Sequence, residues 1–115
     1  MLHTKNVNIT TTDLTEIFSV PTGFVAYVSY VYLKNKDVAA NNCTLYITND
    51  SDSNAVYLLS GQDIDPDQSV EFHEGVFVMY KDDALKVQTG SAGDVDVACT
   101  FDIVEASAVL RNFNR

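Results

Sequence analysis

The run from Val20 to Lys36, V-P-T-G-F-V-A-Y-V-S-Y-V-Y-L-K-N-K, limits the fold more than any other part of this 115-residue chain. Pro21 and Gly23 punctuate a turn at its start, and Asn35 and Asp37 close it in a polar cluster. Between them valine and tyrosine dominate, the types that fit a pleated strand. Strict alternation assigns Val25, Tyr27, Ser29, Val31 and Leu33 to one face, and Phe24, Ala26, Val28, Tyr30 and Tyr32 to the other. Neither face is polar, whereas a strand with one wet face alternates apolar and polar residues. Both faces are therefore expected to be covered, one by the core and one by a neighbouring sheet or subunit. The alternative is that Tyr30 and Tyr32 are cross-strand tyrosines with their hydroxyls in water.

The other strands are shorter. Thr4 to Thr12 predicts a strand with Val7 and Ile9 on one face, and Thr15 to Val20 a second that ends at Pro21. Cys43, Leu45 and Ile47 alternate with Thr44, Tyr46 and Thr48, which reads as a half-buried strand. Ala55 to Leu59 returns as a strand, and G-Q-D-I-D-P-D-Q from Gly61 reads as a turn-rich link. Val70 and Phe72 alternate with Glu71 and His73, V-F-V-M-Y after Gly75 is apolar on both faces, and Ala84 to Thr89 follows. The last strand has the clearest pattern. Val95, Val97, Cys99, Phe101 and Ile103 face inward, while Asp94, Asp96, Thr100 and Asp102 face out. Slipping it by one residue would bury three carboxylates at about several kcal/mol each.

About eight to nine short strands separated by turn residues predict an all-β fold, an antiparallel β-sandwich or jelly roll. The one helical candidate, Glu105 to Asn112, could equally be an extended tail. Residues 1–115 make a single domain of ordinary size, with segments 1–5 and 106–115 expected as arms.

Sixteen acidic against seven basic residues give a net charge of −9, which repels phosphate backbones and argues against nucleic acid as a partner. No apolar run is long enough to span a bilayer, and the N-terminal residues carry no signal core, so a reducing cytoplasm is the expected site of synthesis. Cys43 and Cys99 then read as buried free thiols acting as small hydrophobes, and a bridge between them is the lesser alternative. The sequons at Asn8, Asn42 and Asn49 read as accidents of composition.

Reactive constellations are scarce. His3 lies near the terminus and His73 alternates outward, which supplies neither a metal pair nor a base for a nucleophilic serine. There is no phosphate-binding glycine loop. Asp50, Asp52 and Asn54 imitate the start of a calcium loop, but Ala55 stands where glycine is needed and Gly61 where glutamate is needed. Asp63, Asp65 and Asp67 form a second acidic loop. The expectation is a protein that is no enzyme and carries no metal and no cofactor.

Six tyrosines and six phenylalanines exceed what a lone sandwich of this size must bury, and aromatic residues are favoured at interface centres. The two ends carry isolated apolar residues with basic neighbours: Leu2 with Lys5, and Leu110 and Phe113 with Arg111 and Arg115. Such arms can order on a partner. Leu2, Tyr30, Tyr32, Leu110, Arg111, Phe113 and Arg115 are accordingly the interface candidates.

Four segments together, F-S-V-P-T-G-F-V-A-Y-V-S-Y-V-Y-L-K-N, C-T-L-Y-I-T, Y-L-L-S-G-Q-D-I-D-P-D-Q-S-V-E-F and G-V-F-V-M-Y-K-D-D-A-L-K-V-Q-T-G-S-A-G-D-V-D-V-A-C-T-F-D-I-V-E, resemble small structural proteins of tailed bacteriophages. The shared pattern is a V-P-x-G strand entry, an L-Y strand, a turn before the next strand, and a closing D-x-L-x-V to G-x-V-D-V hairpin. It spans about Phe18 to Glu105, and its motifs are turn and strand signals. The resemblance implies a sandwich or jelly roll on the outside of a virion, assembled in the host cytoplasm. It implies a head cement or decoration protein, expected as a homotrimer on the major capsid protein. A tail, neck or baseplate adaptor is the alternative within phages. A carbohydrate-binding module, with tyrosines stacking on sugars, is the alternative outside them.

Overall fold

A computed structural model describes residues 2–49, 55–73 and 77–106. Nine strands follow in order among them: β1 (Leu2–Ile9), β2 (Thr15–Ser19), β3 (Phe24–Asn35), β4 (Asn41–Thr48), β5 (Ala55–Ile64), β6 (Ser69–Phe72), β7 (Phe77–Met79), β8 (Ala84–Thr89) and β9 (Val95–Glu105). One sheet runs β1-β9-β3-β6, with β7 also paired to β3, and the other runs β2-β8-β4-β5. All pairings are antiparallel. β1 pairs with β9, β2 with β8, β3 with β6 and β7, and β4 with β5. This is a long hairpin, folded between β4 and β5 and rolled so that its arms lie in alternate sheets. The β3–β9 and β4–β8 ladders lock the roll, which makes the sandwich a jelly roll with one strand position divided between β6 and β7.

The core lies between the sheets. β9 contributes Val95, Val97, Cys99 and Phe101, all buried, with Ile103 packed at the margin, as its alternation predicts. Opposite stand Cys43 and Leu45 of β4 and Leu85 and Val87 of β8. Phe18 on β2 stacks on Phe101 across the gap, with ring centroids 4.0 Å apart, and His3 stacks on the same ring at 5.5 Å. Cys43 and Cys99 are buried free thiols in different sheets. Burial alone pushes them up to about 11 and about 12, so both are protonated fillers of the core.

β3 departs from strict alternation. Val28 is opposite Phe101 and Tyr30 is opposite Thr100, so Ser29 is an extra residue against β9. Before this bulge Ala26 and Val28 face the core, and after it Val31, Leu33 and Asn35 do. The faces expected from period two are therefore wrong in one half of the strand. Val31 and Leu33 do not share a side with Tyr27, because one unpaired residue reverses the parity.

β5 also differs from expectation. It continues through Gly61 to Ile64, where the sequence reads as a turn, because two bulges absorb the misfit against β4. Gly61 sits at φ +62, and its N–H donates to Thr44 Oγ1 at 3.0 Å. The link proper is Asp65 to Gln68, a turn closed by Gln68 N–H to the Asp65 carbonyl, with Asp67 at φ 65. β1 begins at Leu2 and ends at Ile9, two residues earlier at its start than expected. Glu105 still belongs to β9, and 107–112 of the helical candidate lie outside the described residues.

Buried amides tie the loops to the roll. Asn35 Nδ2 donates to the carbonyls of Ala39 and Ile64, both at 2.9 Å, while its Oδ1 accepts from Asp37 N–H. Asn41 Nδ2 donates to the Ser91 carbonyl, and its Oδ1 accepts from Ser91 N–H and Oγ. No buried side-chain nitrogen or oxygen among the described residues lacks a partner.

Candidate assembly face

The outer side of the β1-β9-β3-β6 sheet collects the three interface candidates that lie within the described residues, Leu2, Tyr30 and Tyr32. Cross-strand partners share a face, so register alone assigns its rows. Leu2, Asp102, Tyr27 and Val78 form one row across β1, β9, β3 and β7. Thr4, Thr100 and Tyr30 form the next. Asn6, Ala98, Tyr32 and Glu71 form the third, and Asn8, Asp96, Lys34 and Ser69 the fourth. Three tyrosines therefore run down the middle of the sheet, with Tyr30 and Tyr32 stacked at 6.4 Å. All three are half-buried, while Leu2 at the sheet margin is 67% exposed. A shallow depression of about 380 Å³ lies beside Tyr32, lined by Asn6, Asn8, Asp96 and Ala98.

The two ends of this face differ in charge. At one end Lys36 Nζ pairs with Asp96 at 3.1 Å and with Asp94 at 3.6 Å, and Asn8 Nδ2 donates to both carboxylates. Partial burial opposes ionisation of Asp96, but the hydrogen bonds from Asn8 and Lys36 and the lysine charges outweigh it. Its carboxyl lies below the ordinary value. The hydrogen bond to Asp96 in turn raises Lys36. Lys34 pairs with Asp67 at 3.3 Å. In the tyrosine rows Glu71 has no cationic partner among the described residues. Desolvation first, then the charge of Glu71 and the neighbouring Tyr32, raise the Tyr30 hydroxyl.

Of the seven interface candidates, Leu2, Tyr30 and Tyr32 share this face. Leu110, Arg111, Phe113 and Arg115 lie outside the described residues, as do Asp50 and Asp52 of the acidic loop. Sequence reading missed Tyr27 and Val78 as members, because the Ser29 bulge that brings Tyr27 into line has no signature of its own. It also missed a smaller aromatic patch on the other sheet. Tyr46 and Tyr57 are paired at 5.2 Å, and Tyr57 and Val56 are both more than half exposed. No three histidine, cysteine or carboxylate side chains among the described residues group as a metal site.

What this face can do chemically is bury area. Its centre is aromatic, its rim carries carboxylates and amides, and no other described strand packs over it.

No protein-family model matches this chain, and no curated protein matches it. Among solved structures, a chain of the acid-stable capsid of the Helicobacter pylori bacteriophage KHP30 is similar, with TM-score 0.58 and 10% identity. The match covers 91% of this chain and 92% of that one. The Drosophila NLP core, described for its pentamer formation and histone binding, matches at TM-score 0.51 and 11% identity, over 90% of this chain and 99% of that one. A chain of the IBDV T13 viral particle matches at TM-score 0.50 and 7% identity, over 93% of this chain but 31% of that one. At these identities the likenesses establish a shared fold.

Proposed function

We propose that this protein is a non-enzymatic structural component of a bacteriophage virion, a cement or decoration protein that bridges subunits on the outside of the head. The observation that carries the reading is the aromatic outer face of the β1-β9-β3-β6 sheet, with Tyr27, Tyr30 and Tyr32 in line and Leu2 at its edge. A contiguous aromatic patch with a polar rim is the composition of an interface centre rather than of ordinary surface. Three further points support the assignment. A capsid chain of KHP30 shares the fold nearly end to end. The turn and strand motifs from Phe18 to Glu105 resemble those of small phage virion proteins. The fold also occurs in a protein described for pentamer formation, so self-association is compatible with it.

In this reading the protein sits as a homo-oligomer, a trimer, on the major capsid protein. Each interface of about 1,000 Å² or more adds resistance to the internal pressure of packaged DNA. The acidic remainder of the surface keeps finished particles apart.

The test is copy number. A cement protein is present at hundreds of copies in purified particles, and densitometry of intact particles is expected to return that figure. A handful of copies would overturn the cement role in favour of a tail, neck or baseplate adaptor. Absence from particles together with retention on a glycan column would favour a sugar-binding module.

A further inference from the structure

We propose that the outer side of the β2-β8-β4-β5 sheet holds a binding site for a neutral carbohydrate chain. The site lies on the sheet opposite the assembly face and does not depend on it.

Register sets out the rows of this side. Gln88 is opposite Thr44, and in the next row Lys86 is opposite Tyr46, which is opposite Tyr57. Residues two apart on a strand share a face and stand roughly 7 Å apart, so the two rows are adjacent. A depression of about 320 Å³ lies at the first row, lined by Thr12, Asn42, Thr44, Gln88, Thr89 and Gly90. Its polar side chains are all amides and hydroxyls.

These groups are held in place. Asn42 Nδ2 donates to the Gly61 carbonyl at 2.6 Å and to Asp63 Oδ1 at 3.2 Å. Gln88 Nε2 donates to the Thr12 carbonyl, and the Thr89 hydroxyl to the Thr11 carbonyl, both at 3.0 Å, which pins the loop after β1 to β8. Thr44 Oγ1 accepts from Gly61 N–H, which leaves the hydroxyl proton to donate elsewhere. Asn42 also stands between two glycines. A Cβ on Gly90 would come within 3.1 Å of its Cβ, and one on Gly61 within 3.4 Å of its amide. The oxygens of both amides accept from no described group. Each amide is thus fixed through its nitrogen with its oxygen left for a ligand, and that fixed orientation lowers the entropy lost on binding.

The chemistry selects the ligand class. A sugar ring carries hydroxyls that donate and accept around its edge, and an apolar C–H surface on its face. The held amides and hydroxyls match the edge. One row on, the Tyr46–Tyr57 pair, with ring centroids 5.2 Å apart and Tyr57 57% exposed, supplies an aromatic surface for the C–H face of a neighbouring sugar unit. Charge is offset on this side. Asp63 accepts from Asn42, Glu16 is opposite Lys86, and the net charge of −9 repels acidic polysaccharides.

The experiment is proton–nitrogen NMR of the full-length chain, titrated with maltohexaose, cellohexaose, chitohexaose and the acidic hexagalacturonate. Titration to about 10 mM reveals millimolar dissociation constants. At least one neutral hexasaccharide is expected to shift the side-chain amides of Asn42 and Gln88, and the acidic one to bind about tenfold more weakly or less. Gln88→Ala and Tyr57→Ala, both at exposed positions, are each expected to weaken binding about threefold or more while the unfolding midpoint is kept. Asn8→Ala, on the other sheet, is expected to leave binding unchanged. No shift with any neutral probe, shifts centred on the other sheet, silent Gln88 and Tyr57 variants, or an acidic probe bound as tightly would each overturn the proposal. Copy number in particles does not enter this result, so the virion role and the sugar site stand or fall separately.

Discussion

Tyr27 and Tyr30 stand three residues apart and yet point to the same side of β3, because Ser29 has no counterpart on β9. Tyr27 is opposite Asp102 and Tyr30 opposite Thr100, residues two apart and hence on one face. That single extra residue unites the aromatic face and still lets Ala26, Val28, Val31 and Leu33 reach the core. Deleting Ser29 forces a choice between these outcomes. It is expected to destabilise the domain by about 3 kcal/mol or more, since either half of β3 must then expose core valines or bury tyrosine hydroxyls. Ser29→Ala loses only a 3.3 Å hydrogen bond to the Thr100 carbonyl and is expected to cost under about 1 kcal/mol. Urea midpoints of the two variants check this, and equal midpoints would show that the bulge is dispensable.

β9 supplies the complementary comparison. Val97 is buried and Asp96 lies on the outer face beside Lys36. Val97→Asp places a carboxylate in the core without a partner and is expected to cost about 3 kcal/mol or more. Asp96→Asn keeps the shape of the side chain and is expected to cost under about 1 kcal/mol at neutral pH. Thermal unfolding of both variants separates the two faces, and equal shifts would mean that they are reversed.

The strands that this comparison relies on were legible because their pattern is local. Every second residue of β9 from Val95 is apolar and its neighbours are acidic, so strand type, orientation and core membership follow from the sequence. β3 was legible as a strand but not in its faces, since a bulge is a property of the pair and depends on how β9 registers against it. The same holds for β5, where Gly61 to Ile64 carries turn residues but is held in the ladder by β4. The general class of sandwich or jelly roll followed from the count of strands. The pairing of β1 with β9 and of β2 with β8 joins residues 65 or more positions apart, and no local signal encodes it. Asn35 and Asn41 look like loop residues in the sequence, yet they are buried clamps that reach Ile64 at the end of β5 and Ser91 in the β8–β9 loop, both far along the chain.

Acid stability tests the Asp96 network. Its carboxyl titrates lower in the folded protein than in the unfolded chain, so the stabilisation it provides is present above the ordinary carboxylate value. That stabilisation is lost as the pH falls through the lower, folded value. Lys36, raised by the same contact, contributes below its ordinary value and loses that contribution as the pH rises through the folded one. Asp96→Asn is expected to flatten the acid limb of the stability profile, and an unchanged limb would mean that the Asp96 contacts contribute nothing to it. Urea unfolding between pH 2 and pH 7 (about the range over which carboxylates titrate) measures it.

Gly93 leaves room for the Asn41 clamp. A Cβ there would stand 2.9 Å from Asn41 Nδ2, which must then shift, and 3.0 Å from Asp37 Oδ2. Gly93→Ala is expected to lower stability by about 1–3 kcal/mol by displacing the amide from Ser91. Gly23 has open space around the same position but φ +90, so Gly23→Ala is expected to cost about 1 kcal/mol through backbone strain alone. Denaturation midpoints of both variants check the ranking.

The central claim is that the tyrosine face is covered in the assembled state. Hydroxyl-radical footprinting, read residue by residue in dilute protein and in the assembled form, tests it directly. The account predicts that labelling of Tyr27, Tyr30 and Tyr32 falls several-fold on assembly, while solvent-facing Val38 on the β3–β4 loop is labelled equally in both. Unchanged labelling of the three tyrosines in the assembled form would contradict it.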